Sequence, residues 1–116
     1  MDTSNATTAL AALAQEHRLA AFRLLVRAGI DGLPAGAVAR ELDIPHNTLS
    51  THLSTLVAAG LAKSRREGRS IIYTVDLGGT RDLLAFLLED CCLGAPERCE
   101  AVLGTVLPDC CPGVTP

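Results

Sequence analysis

The sequence predicts a mostly α-helical domain with one small β-hairpin. Three observations carry this. Apolar residues make up 48% of the 116 positions but aromatics only 3%, so the core must be aliphatic, which suits packed helices better than a sandwich of sheets. Apolar residues recur three or four apart in several segments, as at Leu10 and Leu13, Phe22, Leu25 and Val26, Val38 and Leu42, and Leu49, Leu53 and Leu56, the spacing of one helix face. A single β-branched run, Ser70-Ile71-Ile72-Tyr73-Thr74-Val75, follows a basic segment across a glycine turn. The length allows one domain of ordinary size. Residues 1–92 are read as that domain and 93–116 as a cysteine-containing tail.

The elements follow in order. Ala6 to Gln15 is rich in Ala and Leu, with Leu10 and Leu13 three apart, and reads as a first helix. A second spans about 17–28, with Leu19, Phe22, Leu25 and Val26 expected on its inward face and Gly29 ending it. Asp31-Gly32-Leu33-Pro34 reads as a turn, and Pro34 suits the first turn of a third helix, 34–42, with Val38 and Leu42 inward. Asp43-Ile44-Pro45 breaks that helix. A fourth, 46–59, sets Leu49, Leu53, Leu56 and Val57 on one side and Asn47, Ser50, Thr51 and Ser54 on the other. Leu61 to Arg66 and Ser70 to Val75 form the hairpin around Glu67-Gly68. The last helix, 79–91, carries Leu83, Leu84, Phe86, Leu87 and Leu88, more apolar surface than one small domain can cover, so part of it is expected against a partner subunit. Gly94 and Pro96 stop it.

Charge is unevenly placed. The net charge of −3 conceals a central segment, 44–75, with four basic residues (Lys63, Arg65, Arg66, Arg69) and one acidic (Glu67). An acidic protein can still bind a polyanion through a clustered basic face. Two short helices across a tight break, the second polar on one face, followed at once by a basic hairpin, make a winged helix-turn-helix. His46, Asn47, Thr48, Ser50, Thr51 and His52 would supply short groups to base edges and phosphates of double-stranded DNA. Arg65, Arg66 and Arg69 would reach flanking phosphates or the minor groove.

Three stretches carry a family resemblance: Leu13-Ala14-Gln15-Glu16-His17-Arg18-Leu19, Pro45-His46-Asn47-Thr48-Leu49-Ser50-Thr51-His52-Leu53, and Ala59-Gly60-Leu61 through Arg65-Arg66-Glu67-Gly68-Arg69. Over roughly residues 6–92 the chain resembles the ArsR/SmtB family of metal-sensing transcriptional repressors. The resemblance implies a homodimer whose first and last helices form the interface, bound to a two-fold symmetric operator and released by an inducer. DNA binding itself would then need no cofactor.

The inducer is read from the cysteines. All five lie after residue 90, and an odd number cannot all pair within one chain. No apolar run is long enough to span a membrane, and Met1-Asp2-Thr3-Ser4-Asn5 lacks the basic start of a signal peptide. The expected setting is therefore the reducing cytoplasm, where clustered thiols bind metals or sense oxidants. Cys91, Cys92 and Cys99 form a soft, three-thiolate set without a matching His or carboxylate. Such a set suits a trigonal ion with a lone pair, As(III) or Sb(III), whereas tetrahedral zinc wants a fourth ligand. Neighbours on a helix point about 100° apart, so the end of the last helix would have to open for Cys91 and Cys92 to share one ion.

Family members place arsenic-binding cysteines differently. Some carry a Cys-x-Cys-type motif near the helix-turn-helix, but Ala35 to His52 holds no cysteine. Others carry a vicinal pair at the end of the last helix and a third shortly after, which this chain resembles. The family's zinc site on that helix uses His and carboxylates, and 79–91 has no His. Cys110 and Cys111 remain candidate further ligands, a site for an organoarsenical such as methylarsenite, or a dispensable tail. A thiol-redox or persulfide-sensing repressor on the same fold is the alternative reading. A thiol enzyme is excluded by the setting of the vicinal pair: a helix C-terminus and acidic Glu89 and Asp90 disfavour a reactive thiolate.

Overall fold

The computed structural model describes residues 1–88. These hold five α-helices and three strands: α1 (Thr3–Leu13), α2 (Glu16–Ala28), β1 (Leu33–Pro34), α3 (Ala35–Leu42), α4 (His46–Ala58), β2 (Ala62–Glu67), β3 (Ser70–Val75) and α5 (Leu77–Leu88). A single 3-10 turn, Gly29–Asp31, joins α2 to β1. Met1–Leu83 forms one compact unit.

The helices begin and end where side chains allow. The Asp2 carboxylate accepts from the Asn5 N–H at 2.8 Å, which starts α1 three residues earlier than its apolar pattern suggests. Gln15 does the same for α2, its side-chain oxygen accepting from the Arg18 N–H at 2.8 Å. Between α3 and α4, Asp43 takes the left-handed conformation, φ 55°. The Ile44 N–H donates to the Ala39 carbonyl at 3.0 Å and that of Asp43 to Arg40 at 3.3 Å. This is a Schellman end, with Ile44 buried beneath it. It accounts for the sharp break that Asp43-Ile44-Pro45 announces. Gly60 and Leu61 close α4 the same way, the Leu61 N–H donating to the Leu56 carbonyl at 3.0 Å.

The core sits where α2, α3, α4 and the sheet meet. Its fully buried large side chains are Leu25, Val38, Leu49, Leu53, Leu56 and Leu61. The inward stripe predicted for α4 is thus observed at Leu49, Leu53 and Leu56. For α2 the expectation is corrected: Ala21 and Leu25 are buried, while Leu19 and Val26 are half exposed. α1 follows the same logic, burying Ala6, Ala9 and Ala12 and leaving Leu10 outside. Small side chains let helix axes approach closely, so the alanines face the chain's own core.

The sheet has one strand more than the hairpin. Leu33–Pro34, read from sequence as a turn and helix start, pairs antiparallel with β3, in register Leu33↔Tyr73 and Pro34↔Ile72. Strand order is β1-β3-β2. In the hairpin Glu67 pairs with Ser70, so the two-residue loop is Gly68-Arg69 rather than Glu67-Gly68. Gly68 has φ 62°, which a tight hairpin requires at this place. α5 starts at Leu77, where the Asp76 carboxylate accepts from the Gly79 N–H at 2.9 Å. Of the predicted 79–91, residues 89–91 lie outside the described residues. On α5, Leu83 is buried, and Leu84 and Leu87 are about half exposed. No described helix is long and apolar enough to cross a membrane.

Candidate nucleic-acid interface

α4 presents His46, Asn47, Thr48 and Thr51 to solvent, with Ser50 half-buried beside them. Their hydrogen bonds determine what each can offer. The Thr51 hydroxyl donates to the Asn47 carbonyl at 3.2 Å, so its lone pairs and methyl face outward. The Asn47 side-chain oxygen accepts from the Thr48 N–H at 2.9 Å, which leaves its NH₂ free to donate. An amide donor beside a hydroxyl acceptor is a usable pair for base edges and phosphates.

A cleft of about 420 Å³ opens between the starts of α3 and α4 and the hairpin, lined in part by Arg40, His46, Ser50 and Arg69. Gly36 is its floor: a Cβ there would stand 3.5 Å from Arg40 Nη1 and 3.7 Å from His46 Cδ2, so these two side chains converge over it. Proline precedes both helices, and neither start has a side-chain cap. Apart from the Thr48 N–H, which the Asn47 side chain holds, the N–H groups of the first turns and the positive ends of two helix dipoles therefore add to the cationic side chains. This is a setting for the phosphate backbone of DNA.

The three wing arginines are placed differently. Arg69 lies in the hairpin loop and lines the cleft. Arg66 pairs with Ile71 and alternation puts it on the sheet face of Tyr73 and Val75. Arg65 lies on the opposite face, where it bonds Glu67 at 2.6 Å and the carbonyls of Ile30 and Asp31 at 3.4 and 2.9 Å. Arg40 escapes the sequence reading, which places the DNA-facing charge in residues 44–75. The signal was an arginine four residues after the glycine of a helix that starts beside the recognition helix.

His52 is set apart from the exposed α4 residues. It is half-buried, with Nδ1 3.4 Å from Arg18 Nη1 and its ring centroid 5.8 Å from that of His17, edge to face. Burial first, then the charges of Arg18 and His17, hold its imidazole below the ordinary histidine range. The thiol residues Cys91, Cys92, Cys99, Cys110 and Cys111 all lie outside the described residues. Among the described residues, no three His, Cys, Asp or Glu side chains gather as a metal site.

Comparison with known proteins narrows the fold to a family. A family model described as a helix-turn-helix domain matches residues 13–65, from the end of α1 into β2. An ArsR-like transcriptional regulator from Rhodococcus sp. RHA1 superposes with a TM-score of 0.65 at 27% identity, over 90% of this chain and 93% of that one. The chain has the winged helix-turn-helix fold of ArsR-family transcriptional regulators. A second similar structure is the homodimeric winged helix-turn-helix DNA-binding domain of Mb0332 from Mycobacterium bovis, at 26% identity and TM-score 0.62, covering 78% of this chain and 82% of that one. A third is reduced HlyU from Vibrio cholerae, at 28% identity and TM-score 0.56, covering 73% and 90%. No curated protein matches the chain in sequence. The structures it resembles are transcriptional regulators and not enzymes, and the matched domain is a helix-turn-helix, the DNA-binding part of such regulators. α3 and α4 are its helix-turn-helix, α4 its recognition helix, and β2–β3 its wing.

Proposed function

We propose that this regulator is a homodimeric, metalloid-responsive repressor. It binds an operator of two-fold symmetry and leaves it when As(III), or Sb(III) or methylarsenite, is held by Cys91, Cys92 and Cys99. The observation that carries the reading is the donor set: a vicinal thiol pair and a third thiol, all soft, follow α5 in a regulator whose described residues hold no other metal-ligand cluster. Three thiolates match the coordination of a trivalent metalloid and leave a zinc ion one ligand short. The homodimeric state of Mb0332 supports the dimer, as do the half-exposed Leu10, Leu84 and Leu87 on α1 and α5. The cytoplasm, where DNA and reduced thiols occur together, is the setting this activity needs.

The test is operator binding by the full chain under reducing conditions, with DNA from upstream of its own gene. Arsenite should release the wild type. Ser at Cys91, Cys92 or Cys99 should leave binding intact and abolish release, whereas Cys110→Ser and Cys111→Ser report whether the second pair takes part. A second reading, a thiol-redox or persulfide-sensing repressor, draws support from HlyU, a relative described in a reduced form. It wins if peroxide or polysulfide releases the DNA and arsenite does not.

A further inference from the structure

We propose that Arg18 and His52 form a latch that positions the recognition helix, closed while the His52 imidazole is neutral. The proposal rests on the DNA-binding reading of α4. Arg18 touches three helices. Its N–H is held by Gln15 at the start of α2, its Nε donates to the Ala12 carbonyl near the end of α1 at 2.6 Å, and its Nη1 reaches His52 of α4 at 3.4 Å. Because a guanidinium has no acceptor, Nδ1 must present a lone pair, and the ring proton sits on Nε2. His52 follows exposed Thr51 and precedes buried Leu53, so its contact lies at the border between the exposed face of α4 and the core that Leu49, Leu53 and Leu56 fill. The latch thus ties the reading face to the corner between α1 and α2.

Protonation would remove the acceptor at Nδ1 and set a cation against Arg18. The charged groups facing His52 are Arg18 and His17 of α2; α1 has none between Thr3 and Leu13, and α4 has only His46, at its far end. No carboxylate offsets the new charge in this set. The depressed basicity of His52 agrees with that arrangement. Acid should therefore loosen the recognition helix and weaken DNA binding. A His52 that instead contacted phosphate would act with the opposite sign, because its charging would strengthen binding.

The test measures affinity of the full chain for a duplex from upstream of its gene, by fluorescence anisotropy at fixed ionic strength. The pH runs from about 8 to about 5, through the ordinary histidine value of about 6.5 and well below it, because the imidazole is held below that value. His52→Asn, whose Oδ1 can stand where Nδ1 stood but cannot gain a proton, is the reference, each protein being compared with its own affinity at the alkaline end. Wild type should lose several-fold more affinity than His52→Asn on acidification. In parallel, NMR titration of the imidazole should show the His52 pKa rising in Arg18→Gln. Equal pH profiles, a wild type that gains affinity relative to His52→Asn, or an imidazole indifferent to Arg18→Gln would each overturn the latch. Absence of binding by every protein at every pH would overturn the DNA-binding reading, and the NMR titration would still judge the Arg18–His52 contact.

Discussion

Gly78 and Gly79 open α5 side by side, yet alanine should have opposite effects at the two. Replacing glycine by alanine in a helix removes freedom from the unfolded chain and stabilises by about 0.4–1 kcal/mol where the backbone accepts it. At Gly78 an added Cβ meets nothing nearer than Asp76 Oδ1, at 3.4 Å. At Gly79 it would fall inside the carbonyl oxygen of Gly60 and 3.0 Å from its carbon. That obstacle is main chain at the Schellman end of α4, and no side-chain rotation relieves it. Overpacking of this kind costs about 1–3 kcal/mol, against the same unfolded-state gain. The two variants should therefore differ by about 1–3 kcal/mol, with Gly78→Ala the more stable. For a domain this small each kcal/mol moves Tm by roughly 4–8 °C, so calorimetry separates them. If Gly79→Ala melts at or above Gly78→Ala, α5 does not start against Gly60 and the packing described here is wrong.

Other outcomes follow from single contacts. Asp76→Ala should cost about 1 kcal/mol in chemical denaturation, by removing the cap on α5, and Asp76→Asn much less. Arg40→Ala should weaken DNA binding and reduce the salt dependence by about one phosphate contact. Arg65→Ala should change that slope less, because its guanidinium is already held by Glu67, Ile30 and Asp31. Stability should also depend on His52. Its folded pKa lies below the unfolded value of about 6.5, so its contribution is complete above that pH and is lost as pH falls through the folded pKa. Urea midpoints on either side of that window should fall further for wild type than for His52→Asn.

Much of this molecule was legible because its signals are periodic. Leu49, Leu53 and Leu56 repeat at helical spacing and are fully buried. Asp43-Ile44-Pro45 breaks the chain where the helix-turn-helix needs a corner. The order of polar helix and basic hairpin is by itself the pattern of a winged helix-turn-helix. Three things were hidden. A two-residue strand such as Leu33–Pro34 has no pattern, and only its partner β3 reveals it. The inward face of α2 is hidden because side-chain size does not decide burial where helices approach closely: Ala21 is buried and Leu19 lies outside, just as α1 buries Ala9 and leaves Leu10 outside. His52 sits beside the polar stripe in sequence, and only the position of α2 shows that its ring meets Arg18.

The ends of the sheet have a consequence for solubility. Both β1 and β2 are edge strands, and an unpaired edge invites a second chain to add to it. β1 is two residues long and finishes in Pro34, which has no N–H to give. β2 exposes Lys63, Arg65 and Arg66 along its length, and like charges keep two such strands apart. The basic wing residues thus protect the wing from cross-strand aggregation, a role independent of any contact with nucleic acid. Variants that strip the wing of charge should be checked by light scattering, because a protein lost to self-association would imitate one that no longer binds DNA.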